Sequence, residues 1–263
     1  MLSILLFITA CQKQDLKQND SMESLIKSKK SISLHEEKTN TFYGPQIHSG
    51  DGKVRSFIII THTGVPKEIG LEMTAGSLTG LSMEDHVSYV VPLHQKAKAV
   101  TPFDHIFFNW NPHGHPPAMF FSAPHFDFHF YMTSVEERMS IPAWSPSSDA
   151  MFNNYPAPGY MPVDYFTAPG ADAAEIAMGK HWLPPPSSFL PFSKVMILGT
   201  YDGHVTFIEP MITLSYLQSK TNISQPYSQP ALFEHTGKYY PTMMNIYYDN
   251  GKHYVSLSGF VLR

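Results

Sequence analysis

Residues 125 to 131 read H-F-D-F-H-F-Y, and the alternation within that stretch decides the fold. Successive side chains of a β-strand point to opposite faces, so Phe126, Phe128 and Phe130 share one face and His125, Asp127 and His129 share the other. One face is greasy enough for a core, and the other carries groups that bind. The segment is predicted to be a strand with packing on one side and chemistry on the other.

Working outward, the same kind of signal recurs. Residues 53 to 62 (K-V-R-S-F-I-I-I-T-H) are rich in β-branched and aromatic side chains, and Gly64 with Pro66 breaks the run before 67 to 73 (K-E-I-G-L-E-M). That is the pattern of a hairpin. Further strands are expected over 86 to 91, 104 to 109, 124 to 131, 194 to 200, 204 to 209, 211 to 217, 242 to 248 and 252 to 261. Asp202-Gly203 and Asn250-Gly251 are dipeptides that tolerate the positive φ of tight hairpin turns. One helix is expected around residues 172 to 178, capped by Asp172 and ended by Gly179. Residues 141 to 169 read as a long loop rich in Pro, Ser, Asn and Tyr. The predicted class is all-β, mainly an antiparallel sandwich or barrel, with one or two short helices and long Pro-rich loops.

The N-terminal residues read differently. Residues 1 to 10 are almost wholly apolar and run into Ile8-Thr9-Ala10-Cys11, a lipoprotein cleavage box, although no Lys or Arg precedes the apolar run. Such a run is too short to span a bilayer and is expected to be a signal peptide. Cys11 would become the acylated N-terminus, followed to residue 40 by a polar, disordered tether. Residues 41 to 263 are then a single β-rich, metal-binding domain. Cys11 is the only cysteine, which leaves no intrachain disulfide and no thiolate metal site. A formal charge of -4 with 15% charged residues supplies no basic surface for nucleic acid. The expected partner is a membrane, reached through the lipid anchor. Gln12 is not an Asp-type retention signal, so the outer-membrane periplasmic face or the cell surface of a bacterial envelope is the expected location.

Six of the fourteen histidines fall between His94 and His129, most densely in N-W-N-P-H-G-H-P-P and P-H-F-D-F-H-F-Y. Imidazoles on one strand face can reach one cation, so His125 and His129 are predicted to share a metal ion. Further ligands are sought in His113 and His115 of the Gly/Pro turn, His181 of G-K-H-W and Glu209 of F-I-E-P. Asp127 fits three roles: ligand, acceptor orienting an imidazole, or general base. Histidine and carboxylate donors without thiolate suit several divalent ions, of which zinc is the expected one. In a metal-dependent hydrolase the ion would activate a water, with Asp127 or His115 handling the proton. A non-catalytic envelope-stress or binding protein, with a structural metal or none, is the alternative. The G-x-S-x-G, phosphate-loop and H-E-x-x-H motifs are absent, and the H-x-H and glutamate pattern of cupins is not matched.

Together with G-K-V-R-S-F, P-K-E-I-G-L-E-M, A-G-S-L-T-G-L, Y-D-G-H-V-T-F-I-E-P-M-I and G-K-Y-Y-P, these segments make residues 50 to 263 resemble a bacterial extracytoplasmic family with an H-F-D-F-H-F-Y core. One thermophile member is controlled by a sigma-E/anti-sigma-E stress system. The resemblance implies a β-rich protein with a histidine-centred metal site at His115, His125, Asp127, His129 and Glu209. It leaves open a homo-oligomer, and it supplies no reaction and no small-molecule substrate.

Overall fold

A computed structural model describes residues 38 to 263. The signal segment, Cys11 and nearly all of the expected tether lie outside the described residues. Thr39–Arg263 forms one compact unit, and its first strand starts at Thr39, just ahead of the boundary expected at 41.

The strands, in chain order, begin with β1 (Thr39–Ser49), β2 (Gly52–Thr61), β3 (Pro66–Thr74), β4 (Val87–Pro92), β5 (His105–Asn111), β6 (His125–Tyr131), β7 (Ala174–Glu175) and β8 (Gly179–Trp182). They continue with β9 (Lys194–Tyr201), β10 (His204–Thr213), β11 (Ile223–Pro226), β12 (Tyr239–Tyr240), β13 (Met243–Asp249), β14 (Lys252–Ser258) and β15 (Val261–Leu262). One sheet has six strands in the order β1-β2-β3-β14-β13-β11, and the other has seven in the order β4-β5-β6-β10-β9-β8-β7. Strands β12 and β15 form a separate pair. The architecture is mostly antiparallel β, with a sheet curled into a half-barrel and a few short helices.

Alternation explains how the sheets meet. Ile106, Phe108 and Trp110 of β5 and Phe126, Phe128 and Phe130 of β6 are buried together with Ile58, Ile69, Leu71, Met244, Val255 and Leu257 of the six-stranded sheet. The intervening residues of β5 and β6 therefore point away from this core. Both expected hairpin dipeptides take positive φ at both positions, 46° and 86° at Asp202-Gly203 and 47° and 79° at Asn250-Gly251. That twist matches the right-handed twist of the flanking strands.

Two local expectations are corrected. Residues 172 to 178 do not form the expected helix: a 3-10 turn over Gly170–Ala173 takes in only Asp172 and Ala173 and leads into β7, which pairs back on β8 through Ala174↔Lys180 and Glu175↔Gly179. Ala177 sits at φ 57° in the turn between them, and edge pairing outweighs the weak propensity of so short a segment. The strand expected over 211 to 217 is the end of β10 followed by a helix, Leu214–Gln218, begun where the Thr213 side chain accepts from the Tyr216 N–H. The structure also adds Val135–Ser140, a helix with a reciprocal Ser134/Glu137 capping box. Among the described residues no helix is long and apolar enough to cross a membrane.

Candidate metal centre

The face of β6 that points away from the core is as deeply buried as the one that points into it. Its wall is a second apolar cluster of Phe121, Leu183, Phe189, Val195, Ile197 and Met211. Phe192 meets the His125 ring edge-on at 5.3 Å, and Phe207 meets His129 at 4.8 Å and His181 at 5.2 Å. Gly199 makes room for this. A Cβ there would run into the Phe207 ring, so only glycine lets that ring lie across β9 against both imidazoles.

Among the described residues, two groups of side chains could each hold a metal ion: His115 with His125 and Asp127, and His129 with His181 and Glu209. Within each group the ligand atoms all lie within 4.8 Å of one another. His125, Asp127 and His129 come from β6, Glu209 from the adjacent β10, and His181 from β8. His115 comes from the turn after β5, where Gly114 takes φ 68° and its N–H donates to the Asn111 carbonyl at 3.3 Å. An added Cβ at Gly114 would strike the Phe121 carbonyl, so the turn depends on that glycine.

This grouping corrects the expectation that His125 and His129 share one ion. Four residues of strand separate their Cα atoms by roughly 13 Å. Each has its own carboxylate, Asp127 two residues along β6 for His125 and Glu209 of the paired β10 for His129. Asp127 lies 3.2 Å from His125 Nε2, and Glu209 lies 3.3 Å from His129 Nε2. His115 Nε2 is 3.6 Å from Asp127 and His181 Nε2 is 3.9 Å from Glu209, so all six side chains enter the centre. His113 belongs to neither group. It is exposed, because the left-handed turn at Gly114 sends it and His115 in different directions.

The four histidines are set alike. Each Nδ1 faces a backbone carbonyl: Pro116 at 2.8 Å from His115, Ala123 at 2.7 Å from His125, Phe107 at 3.3 Å from His129 and Ala173 at 3.3 Å from His181. A carbonyl only accepts, so each Nδ1 carries the hydrogen, and in the neutral ring the Nε2 lone pair is aimed at a carboxylate oxygen. Of those atoms, His125 Nε2, Asp127 Oδ1, His129 Nε2 and Glu209 Oε2 are buried without a hydrogen-bond partner. Two facing acceptors repel each other, and a shared cation removes the conflict. Asn111, which the sequence reading did not single out, donates from Nδ2 to Asp127 Oδ2 at 2.6 Å and turns Oδ1 toward His125. Its signal is its position, on the same face of β5 as Asn109.

Burial shapes the electrostatics. Desolvation opposes charge on Asp127, but the neighbouring His115 and His125 imidazoles hold its carboxyl far below the usual range. Desolvation likewise opposes a charged His115, and the nearby Asp127 carboxylate outweighs it, raising the imidazole above its ordinary value. His129 and His181 are pushed down to about 3 and about 4, chiefly by burial. Burial, with the nearby Asp127 charge, pushes the Glu209 carboxyl well up.

No family model, no curated protein and no solved structure matches this chain.

Proposed function

We propose that this chain is an extracytoplasmic metal-binding lipoprotein, acylated at Cys11 and held at the bacterial envelope, whose β-rich domain acts as a metal-dependent hydrolase. Membership of the extracytoplasmic family with the H-F-D-F-H-F-Y core belongs to the same proposal. One observation carries the metal reading: four imidazoles whose Nδ1–H groups face backbone carbonyls turn Nε2 toward two buried carboxylates, and two of those nitrogens and one oxygen of each carboxylate have no hydrogen-bond partner. Two imidazoles and a carboxylate, with no thiolate, suit zinc.

Three protein ligands leave a fourth position for water or substrate, the hallmark of a catalytic rather than a closed structural site. A bound zinc would supply Lewis acidity and an acidified water. The chain's own contribution is positioning. Asn111 fixes the Asp127 carboxylate, and Asp127 orients His115. His115 exposes 30% of its side chain, which puts the open position of its group within reach of a small-molecule substrate. The near-total burial of His129 and Glu209 favours a second reading for that part of the centre, a structural ion in a non-catalytic binding protein.

Elemental analysis of the purified full-length chain tests the metal reading, with hydrolysis of chromogenic esters and phosphoesters as the activity readout. Stoichiometric metal is expected, with activity lost on chelation and restored by zinc. Protein that carries no metal, and whose Tm moves with neither chelator nor zinc, would overturn it. Separately, Cys11→Ala should release the chain from membranes. If that variant stays in the membrane fraction as firmly as the parent, the anchor assignment falls.

A further inference from the structure

We infer that the centre takes two ions, one in each group, with unlike duties: an exchangeable outer ion at His115, His125 and Asp127 that meets substrate, and an inner ion at His129, His181 and Glu209 that holds the strands. The inference rests on the metal-binding reading above and adds its stoichiometry and division of labour.

The unsatisfied atoms carry it. Four of them lie in the two groups, one imidazole nitrogen and one carboxylate oxygen in each: His125 Nε2 with Asp127 Oδ1, and His129 Nε2 with Glu209 Oε2. A single ion seated in either group satisfies that pair and leaves the other buried without partners, a condition folded proteins avoid. Donor sets agree with this count. Each group brings two imidazoles and one carboxylate, enough to hold a divalent ion at a formal charge of about +1 and leave a coordination position open. Asp127 commits both oxygens to the outer group, Oδ1 facing His125 and Oδ2 facing His115 while accepting from Asn111.

Accessibility separates the duties. In the outer group His115 sits on a turn and exposes 30% of its side chain, so water and substrate have a way in. In the inner group His181 exposes 20% but is fixed on β8, Glu209 exposes 2% and His129 1%, and the ligands come from three strands, β6, β8 and β10, whose order is set by the ladder itself. An ion there leaves only when the strands part. The outer ion can leave by rotation of one imidazole on a turn.

The full-length chain, stripped with chelator and reloaded with Zn²⁺, should bind two ions per chain by elemental analysis. His115→Ala and His181→Ala, both at partly exposed side chains, should each bind one. Zinc release to excess chelator should be biphasic, with His115→Ala lacking the fast phase and His181→Ala lacking the slow one. Wild-type stoichiometry and release need no variant, so a misfolded variant does not protect the inference. One zinc per chain released in a single phase overturns the two-ion inference and leaves the metal reading standing. Two zincs of which either variant loses both, or neither, overturns the partition. No zinc overturns both readings.

Discussion

On one face of β6, Phe126, Phe128 and Phe130 are wholly buried among rings and aliphatic side chains. On the other, His125, Asp127 and His129 are buried almost as completely, among atoms that lack hydrogen-bond partners. The residues alternate along one strand and share its backbone hydrogen bonds. What differs is the kind of neighbour each face needs. The phenylalanine face is satisfied by contact alone, which any well-fitting apolar group supplies. The histidine face is satisfied only by directed donors or a cation, and burial without them is a liability.

Three measurements separate the two faces, in falling order of size. Phe128→Ala should destabilise the fold by about 3 to 5 kcal/mol in urea unfolding, through lost burial and the cavity left behind. The folded variant should keep its zinc, and loss of zinc without loss of fold would show that the two faces are not independent. Next, zinc at a hundred times its dissociation constant should stabilise the native state by about 2.7 kcal/mol for one ion. Phe128→Ala should keep that increment on its lowered baseline, while Glu209→Gln, measured by the same melts, should lose the share of the inner ion. Equal zinc shifts in wild type and Glu209→Gln would remove Glu209 from the ligands.

The smallest effect concerns acid. His105 flanks the centre, stacked on Tyr131 at 4.9 Å, and its pKa is lowered to about 4, chiefly by burial, against the upward pull of Asp104. Below the unfolded value near 6.5 the unfolded chain binds a proton that the folded chain refuses. Stability from the neutral ring is complete above that value and is lost as pH falls toward about 4. With solvent screening the loss from His105 is about 2 kcal/mol. In the metal-stripped chain His129 and His181, at about 3 and about 4, act in the same direction. Urea midpoints of metal-free protein that do not change between pH 7 and pH 4.5 would show that the buried imidazoles are not held neutral.

Much of this was legible in the sequence because it is local. Period-two alternation identifies β6 and its two faces, and Asp202-Gly203 and Asn250-Gly251 announce the hairpins they form. The same stretch names His125, Asp127 and His129, and residue type alone adds His115, His181 and Glu209. What remained hidden depends on register between distant segments. Only the β6–β10 pairing, seen in Asp127↔Met211 and Phe130↔Ile208, sets Glu209 beside His129 and so divides the ligands into two groups. Gly199 reads as an ordinary strand glycine until Phe207 is seen lying over it. The helix expected at 172 to 178 failed for the same reason, since a partner strand was available there and a short helix has little stability of its own.

The route of the chain between His129 and His181 has a consequence for unfolding. That segment carries two short helices, Val135–Ser140 and Asp149–Phe152, and otherwise mostly turns and bends before it returns to the sheet as β7 and β8. Bringing the ends of so long a loop together removes chain entropy, and a covalent crosslink would remove much of that disadvantage from the folding balance. No intrachain disulfide is available, because Cys11 is the only cysteine. An ion shared by His129 and His181 would act as a reversible clasp at the mouth of that loop, so chelation would loosen the loop before the rest of the sheet and expose it first to proteolysis.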